Sequence, residues 1–148
     1  RVALTLSDSF CVDRHRAEFL ELIRNGVDIL FANESEITSL YETSFEEAAR
    51  RTAADTKRAA LTRSAKGSII VAEGKFHEIP VERMAAVVDT TGAGDLYAAG
   101  FLHGLARGLD LDAAGRLGSL AAAEIIGHIG ARPEANLGEL AKSRGLAF

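Results

Sequence analysis

Residues 89–95 read Asp-Thr-Thr-Gly-Ala-Gly-Asp and join an apolar, strand-like run, Ala85 to Val88, to a long helix rich in small residues. The N–H groups that open a helix lack partners within it, and the helix dipole adds about half a positive charge there, so such a turn favours an anion. Gly92 and Gly94 leave room for the backbone to approach a ligand. Asp95 adds a carboxylate that a simple phosphate-binding turn does not need. The turn therefore predicts phosphate transfer chemistry.

The same turn has a simpler interpretation, in which the glycines shape a tight turn and Asp95 complements the helix dipole. Two glycines, two threonines and two aspartates within seven residues exceed what a plain turn requires. The phosphate interpretation is therefore favoured.

Composition limits the classes of protein and partner. The chain has 148 residues, of which 47% are hydrophobic and 26% charged, as in an ordinary globular domain. A formal net charge of -4 argues against nucleic acid or an anionic membrane surface as a partner. No apolar run reaches the roughly 18 to 20 residues of a membrane span. Cys11 is the single cysteine, so no internal disulfide forms and we expect a cytoplasmic location.

The beginning of the chain predicts a longer protein. The first residue is Arg1 rather than Met, and a strand pattern starts at once. We therefore expect residues 1–148 to be the carboxy-terminal portion of a longer protein.

Apolar patterns and turn residues predict strands that alternate with helices. This order favours an α/β fold, with a mainly parallel sheet flanked by helices and an antiparallel edge. Ligands of such sheets bind at the carboxyl ends of the strands. The predicted elements are a buried strand Val2 to Leu6, helix Asp13 to Asn25, strand Val27 to Ala32, helices Glu34 to Tyr41 and Phe45 to Asp55, strands Ala59 to Thr62, Ser68 to Ala72, Phe76 to Val81 and Ala85 to Val88, and helices Gly94 to Arg107, Leu111 to Gly127 and Asn136 to Arg144.

Two further turns follow predicted strands. Asn33 and Glu36 have the spacing of a helix capping box, and a compatible second role is that Glu36 faces a hydrated Mg²⁺, which needs only one or two carboxylates. Thr62 to Gly67 fits either a plain hairpin turn or a contact with a ligand. With residues 89–95, these turns can surround one ligand.

The motifs in this order resemble those of the ribokinase-like, or PfkB, carbohydrate kinases. Residues 89–95, followed by Ala-Gly-Phe-Leu at 99–102, resemble the carboxy-terminal signature of that family. Asn33-x-x-Glu36 resembles its Asn-x-x-Glu motif, Thr62 to Gly67 its nucleotide-binding turn, and Ser119 to Pro133 its closing helix and loop. The resemblance implies a ribokinase-like fold.

The resemblance also implies a catalytic role for residues 89–95. Asp95 is expected to be the base that takes a proton from a substrate hydroxyl as the oxygen attacks the γ-phosphate of ATP. The backbone N–H groups of Gly92, Ala93, Gly94 and Asp95 are expected to form the anion hole for the transferring group.

The same resemblance implies binding roles for the remaining motif residues. Asn33 and Glu36 are expected to place Mg²⁺ and its waters against the phosphates. Asp89 and Thr91 are expected to contribute to a monovalent cation site, with K⁺ as the candidate. The expected nucleotide contacts are Asn33, Thr62, Ser64, Gly67 and Ser119. Ser64 stands where many relatives have Gly, and Ser119 where ribokinase has Asn.

The resemblance implies a small-molecule sugar or nucleoside as the acceptor. The sequence at residues 7–10 and 130–133 resembles the sugar-kinase and adenosine-kinase-like branch more than ribokinase. Nothing in the chain corresponds to the amino-terminal half of the family, which holds the substrate-binding and lid portion. A homodimer is the candidate assembly. Three alternatives stay open: an adenosine kinase rather than a sugar kinase, a non-catalytic ATP-binding or regulatory module, and a plain structural domain.

Overall fold

The computed structural model describes residues 1–82 and 86–146. The chain forms two compact units, one of residues 1–64 and 69–77, the other of residues 65–68 and those from 78 onward. Within the described ranges, no helix has both the length and the apolar character needed to cross a membrane.

The first unit contains most of a five-stranded sheet, counted over the described residues. Its strands lie in the order of the chain, and the first three, β1 (Ala3–Thr5), β2 (Ile29–Asn33) and β3 (Arg58–Thr62), are parallel. The strand β2 is buried from Ile29 to Ala32, because its apolar run is covered on both faces, and it ends at the exposed polar residue Asn33. The strands are β1 (Ala3–Thr5), β2 (Ile29–Asn33), β3 (Arg58–Thr62), β4 (Ser68–Ala72) and β5 (Lys75–Ile79).

Helices of the first unit bury their apolar faces in one core with the strands. Leu30, Ile37 and Leu61 are fully buried members of that core. The helix α4 (Phe45–Asp55) begins at a cap, where Ser44 Oγ accepts a hydrogen bond from the Glu47 N–H at 3.4 Å. The helices are α1 (Ser9–Arg14), α2 (Arg16–Gly26), α3 (Glu34–Tyr41) and α4 (Phe45–Asp55).

The single helix predicted from Asp13 to Asn25 is wrong at its beginning. Asp8 caps an earlier helix by accepting a hydrogen bond from the Cys11 N–H at 2.8 Å, so α1 starts before the predicted helix. His15 then leaves the helical conformation, with φ -126° and ψ 30°, and α2 begins after it. The local cap at Asp8 explains the difference.

The expectation that Val2 to Leu6 forms a buried strand is wrong in part. The strand β1 covers Ala3–Thr5 and lies at one end of the strand order. Leu6 is fully buried, but Val2 is exposed. An edge strand with one neighbour leaves part of its apolar sequence uncovered.

The predicted antiparallel edge is confirmed as the hairpin of β4 and β5. The two residues between these strands, Glu73 and Gly74, have φ of 52° and 72°. Two successive positive φ angles are typical of the type I′ turn, whose twist matches that of a hairpin. The mixed sheet with helices confirms the predicted α/β class.

The second unit is mainly helical. Tyr97 and Phe101 of the first helix are buried with their rings stacked at a centroid distance of 6.5 Å. Leu117, Leu120, Ala141 and Leu146 form a further buried cluster. The helices are α5 (Ala93–Ala106), α6 (Leu111–Ile125) and α7 (Leu137–Ser143), each close to its predicted bounds.

The strand predicted from Ala85 to Val88 is not found where the structure describes it. Ala85 lies outside the described residues, and residues 86–88 carry no strand. Val87 and Val88 have exposures of 64% and 56%, so the apolar run is not a buried strand. The Val88 N–H instead donates to the Ile126 carbonyl at 2.8 Å.

Candidate functional site

A complete capping box joins Asn33 and Glu36 where β2 ends and α3 begins. Asn33 Oδ1 accepts from the Glu36 N–H at 2.9 Å, and Glu36 Oε2 accepts from the Asn33 N–H at 2.8 Å. Asn33 Nδ2 also donates to Glu36 Oε1 at 2.8 Å. The capping role predicted from the spacing is confirmed.

Glu36 is a buried carboxylate, with 6% of its surface exposed. Burial raises its pKa, the hydrogen bond from the Asn33 N–H opposes that rise, and the charge of Asp8 adds to it. Each carboxylate oxygen accepts a hydrogen bond from Asn33, which leaves further lone pairs on both oxygens. A carboxylate of this kind has the chemistry to accept from the waters around a hydrated Mg²⁺.

Thr62 lies beside this box. The Cα atoms of Asn33 and Thr62 are register partners at the carboxyl ends of the parallel strands β2 and β3. Two of the predicted turns therefore share one sheet edge, which is where ligands of parallel sheets bind.

The turn after β3 contains backbone conformations that explain its sequence. Ser64 begins a 3₁₀ turn, Ser64–Lys66, with φ 50°, a left-handed conformation that glycine adopts more easily. Gly67 has φ 82°, and a Cβ there would overlap the Ile79 carbonyl oxygen. Gly67 is therefore required by the backbone, whether or not it also contacts a ligand.

Arg63 is a residue of this turn that the sequence did not single out. Its guanidinium carbon lies 4.0 Å from the centroid of the Phe45 ring, and Nη2 lies 3.4 Å from Glu34 Oε1. The side chain ties the end of β3 to the helices α3 and α4. One arginine in a turn carries no distinctive signal in a sequence.

Asp89 organises the turn that precedes α5. Its Oδ1 accepts from the Thr91 N–H at 2.9 Å and from Thr91 Oγ1 at 2.7 Å, and Oδ2 accepts from the Gly130 N–H at 3.2 Å. The Thr91 hydroxyl is the main cause of the lowered pKa of Asp89, followed by the N–H groups of Thr91 and Gly130. The carboxylate is thus held ionised and tied to a second loop.

Gly92 begins α5 without a side-chain cap. It has φ 79°, and a Cβ there would lie 3.0 Å from the Ala131 Cβ. The Ala93 N–H donates to the Thr90 carbonyl at 3.2 Å. Gly94 and Asp95 occupy the first turn of α5, where backbone N–H groups have no partner within a helix. This helix end has the geometry to receive an anion.

Asp95 and Gly94 are exposed at that helix end. A Cβ placed on Gly94 would meet none of the described atoms within 4 Å. A carboxylate in this position is accessible to a reacting group that sits against the backbone N–H groups.

Ser119 is engaged in a structural contact on α6. Its Oγ accepts from the Glu82 N–H at 2.9 Å and donates to the Pro80 carbonyl at 3.3 Å, and the residue is 7% exposed. The predicted nucleotide contact of Ser119 stays a prediction, and its hydroxyl has a structural role as well.

The structure brings predicted residues together within each of the two units. Asn33, Glu36 and Thr62 lie together in the first unit. The turn at residues 89–95 lies in the second unit, with the loop of Gly130 and Ala131 against it. That loop is held by Glu124, whose Oε1 accepts from the Glu134 and Ala135 N–H groups, and a single acid in an apolar helix carries no sequence signal of this role. Over the described ranges, no three His, Cys, Asp or Glu side chains cluster as metal ligands.

Comparison with solved structures gives strong likenesses. A probable sugar kinase from Rhizobium etli is 53% identical, with a TM-score of 0.95 over 97% of this chain and 44% of that one. An adenosine kinase from Sinorhizobium meliloti is 51% identical, with a TM-score of 0.93 over 96% of this chain and 44% of that one.

A ribokinase from Arabidopsis thaliana, solved with ribose and ATP, is 28% identical, with a TM-score of 0.70 over 76% of this chain and 38% of that one. The chain therefore spans less than half the length of each of these three proteins. The family model described as pfkB family carbohydrate kinase matches residues 2–136. With that match over most of its length, the chain belongs to the PfkB family of carbohydrate kinases.

Proposed function

We propose that the chain is the nucleotide-binding and catalytic portion of an ATP-dependent kinase that phosphorylates a hydroxyl of a sugar or nucleoside. The observation that carries the proposal is the uncapped beginning of α5, where backbone N–H groups and the exposed carboxylate of Asp95 share the first helical turn. Membership of the PfkB family supports it.

The proposed chemistry assigns one step to Asp95. Its carboxylate takes the proton of the acceptor hydroxyl as that oxygen forms a bond to the γ-phosphorus. The bond from the γ-phosphorus to the β,γ-bridging oxygen breaks, and ADP leaves. The N–H groups of Gly92, Gly94 and Asp95 stabilise the charge on the transferring group, which is the main task in phosphoryl transfer. The Ala93 N–H joins them by exchanging its bond to the Thr90 carbonyl for one to the transferring group.

Asn33 and Glu36 are the residues that would hold Mg²⁺ through its waters, and that ion would neutralise charge on the phosphates. The buried, hydrogen-bonded carboxylate of Glu36 supports this role, because carboxylate oxygen suits hydrated Mg²⁺. Thr62, Ser64, Gly67 and Ser119 are proposed nucleotide contacts. Asp89 and Thr91 are proposed to contribute to a site for K⁺.

The acceptor class is supported by relatives of two kinds. One similar structure is a probable sugar kinase and another is an adenosine kinase, at almost equal identity to this chain. An adenosine kinase is therefore the second candidate. We infer a cytoplasmic location from the single cysteine, and a homodimer as the assembly to test.

A non-catalytic ATP-binding module is the rival of a different class. Such a module gains nothing from a carboxylate facing the phosphate, because like charges repel. The exposed Asp95 at the helix end therefore favours the enzyme.

The test replaces Asp95 with Asn in the intact protein and measures phosphate transfer to sugars and nucleosides. Loss of a general base lowers kcat by about 10²-fold or more. Asp112→Asn is the matched control, since Asp112 is an exposed acid in the first turn of α6. Equal turnover of Asp95→Asn and the unaltered protein would refute the catalytic assignment.

A further inference from the structure

Glu124 is a buried carboxylate that the proposed reaction does not use. It lies in the last turn of α6 with 4% of its surface exposed. Its Oε1 accepts from the Glu134 N–H at 2.9 Å and from the Ala135 N–H at 2.8 Å. Burial of a charge is costly unless hydrogen bonds compensate, so these two bonds explain how the carboxylate is tolerated.

A histidine completes the same cluster. His128 Nε2 lies 3.4 Å from Glu124 Oε1, and His128 Nδ1 lies 3.8 Å from Glu134 Oε1. The second oxygen of Glu124 is buried and accepts no hydrogen bond from the described residues. The two backbone N–H groups are therefore the main partners of the carboxylate.

The loop held by Glu124 reaches the turn at residues 89–95. Between α6 and α7 the chain has neither helix nor strand, so its path depends on such contacts. At its near end the Ile126 carbonyl accepts from the Val88 N–H at 2.8 Å. In its middle the Gly130 N–H donates to Asp89, and Ala131 lies against Gly92. Glu124 anchors the far end at residues 134 and 135.

We propose that Glu124 is a positioning residue, which holds the loop of residues 127–135 against the turn of residues 89–95 and thereby sets the backbone geometry at the beginning of α5. The carboxylate acts through the loop and touches none of the residues proposed to react. Its effect on catalysis rests on the proposed function, whereas its effect on the backbone does not.

Three variants of the intact protein separate this role from simple packing. Glu124→Leu removes both hydrogen bonds while keeping a side chain of similar size, and Glu124→Ala repeats the test without a new branched side chain. Glu124→Gln keeps a carbonyl oxygen that can accept from the N–H groups of residues 134 and 135. Glu139→Gln is the control, because Glu139 is an exposed acid at the start of α7.

The first readout is amide hydrogen exchange and NMR chemical shifts. In Glu124→Leu and Glu124→Ala we expect the amides of Glu134 and Ala135 to exchange about tenfold faster or more, as loss of charge-assisted bonds permits. The amides of residues 92–95 should also shift. Glu124→Gln should restore most of the protection, and Glu139→Gln should match the unaltered protein. Unchanged amides at residues 92–95 in both Leu and Ala variants would overturn the proposal.

The second readout is kinetic. Because the turn is proposed to stabilise the transferring group rather than to bind the nucleotide as a whole, kcat should fall about tenfold or more while KM for Mg-ATP changes little. A rise in KM with unchanged kcat would overturn the positioning role. If the unaltered protein transfers no phosphate, the proposed function alone is overturned. Amide exchange and chemical shifts would still decide whether Glu124 positions the loop.

Discussion

The substitution Gly100→Ala tests how closely α5 and α6 pack. A Cβ at residue 100 would lie 2.7 Å from the Leu117 carbonyl oxygen, 2.9 Å from the Gly118 Cα and 3.0 Å from the Gly118 N. All three atoms belong to the backbone of α6, so no side chain can rotate away. Gly118 makes the reciprocal approach, because its Cβ would lie 2.8 Å from the Tyr97 carbonyl oxygen.

Two opposing contributions set the change in the free energy of unfolding caused by Gly100→Ala. Forcing an extra carbon into a packed interface costs about 1–3 kcal/mol. Ala in place of Gly inside a helix gains about 1 kcal/mol. Since the backbone atoms cannot yield without moving a helix, we expect the steric cost to exceed the gain and the free energy of unfolding to fall by up to about 2 kcal/mol.

The assay is urea unfolding followed by circular dichroism at 222 nm, on the unaltered protein and two variants. Gly26→Ala is the matched control, because a Cβ at this residue of α2 would meet no described atom within 4 Å. It should keep or raise the stability. If Gly100→Ala proved as stable as Gly26→Ala, the inference that glycine is needed for helix approach would be refuted.

Three further predictions concern pH, a helix cap and Mg²⁺. Burial raises the pKa of Tyr97 to about 12, and burial also raises that of Tyr41, so tyrosinate absorbance at 295 nm should stay low near pH 11 until the protein unfolds. Because the folded pKa is raised, the stability linked to Tyr97 is present below its usual pKa of 10.0 and is lost as pH rises through about 12. Asp110→Ala removes the acceptor 2.8 Å from the Ala113 N–H and should lower the free energy of unfolding by about 1 kcal/mol, measured in urea. Glu36→Gln should keep the cap, since Gln also serves in a capping box. It should nevertheless raise the Mg²⁺ concentration that gives half-maximal phosphate transfer. A Mg²⁺ titration curve identical to that of the unaltered protein would contradict the metal role.

Local signals account for the parts of the structure that the sequence predicted. The capping box of Asn33 and Glu36 and the hairpin turn at Glu73-Gly74 depend on residues within a few positions of each other. The same holds for the turn that opens α5 at Gly92. Such features form from short-range hydrogen bonds and backbone preferences, which a sequence displays directly.

The errors and omissions arise from contacts distant in the chain. The run from Ala86 to Val88 has strand-like residues, yet the Val88 N–H is taken by Ile126, far along the chain. Glu124 looks like an interruption of an apolar helix until its partners at residues 134 and 135 are seen. No periodicity encodes these pairings, because they depend on how the second unit folds back on itself.

The bonds between Asn33 and Glu36 have a consequence for reading the Asn-x-x-Glu pattern in other chains. The Asn33 side chain accepts from the Glu36 N–H and donates to the Glu36 carboxylate. Among the common cap residues, only Asn has a side chain with an acceptor and a donor on separate atoms. An Asp at this position would set two carboxylates against each other. The pattern thus stabilises the beginning of a helix without any ligand, so it can persist in a descendant that has lost catalysis. Its presence alone should not be used to count a chain among active kinases.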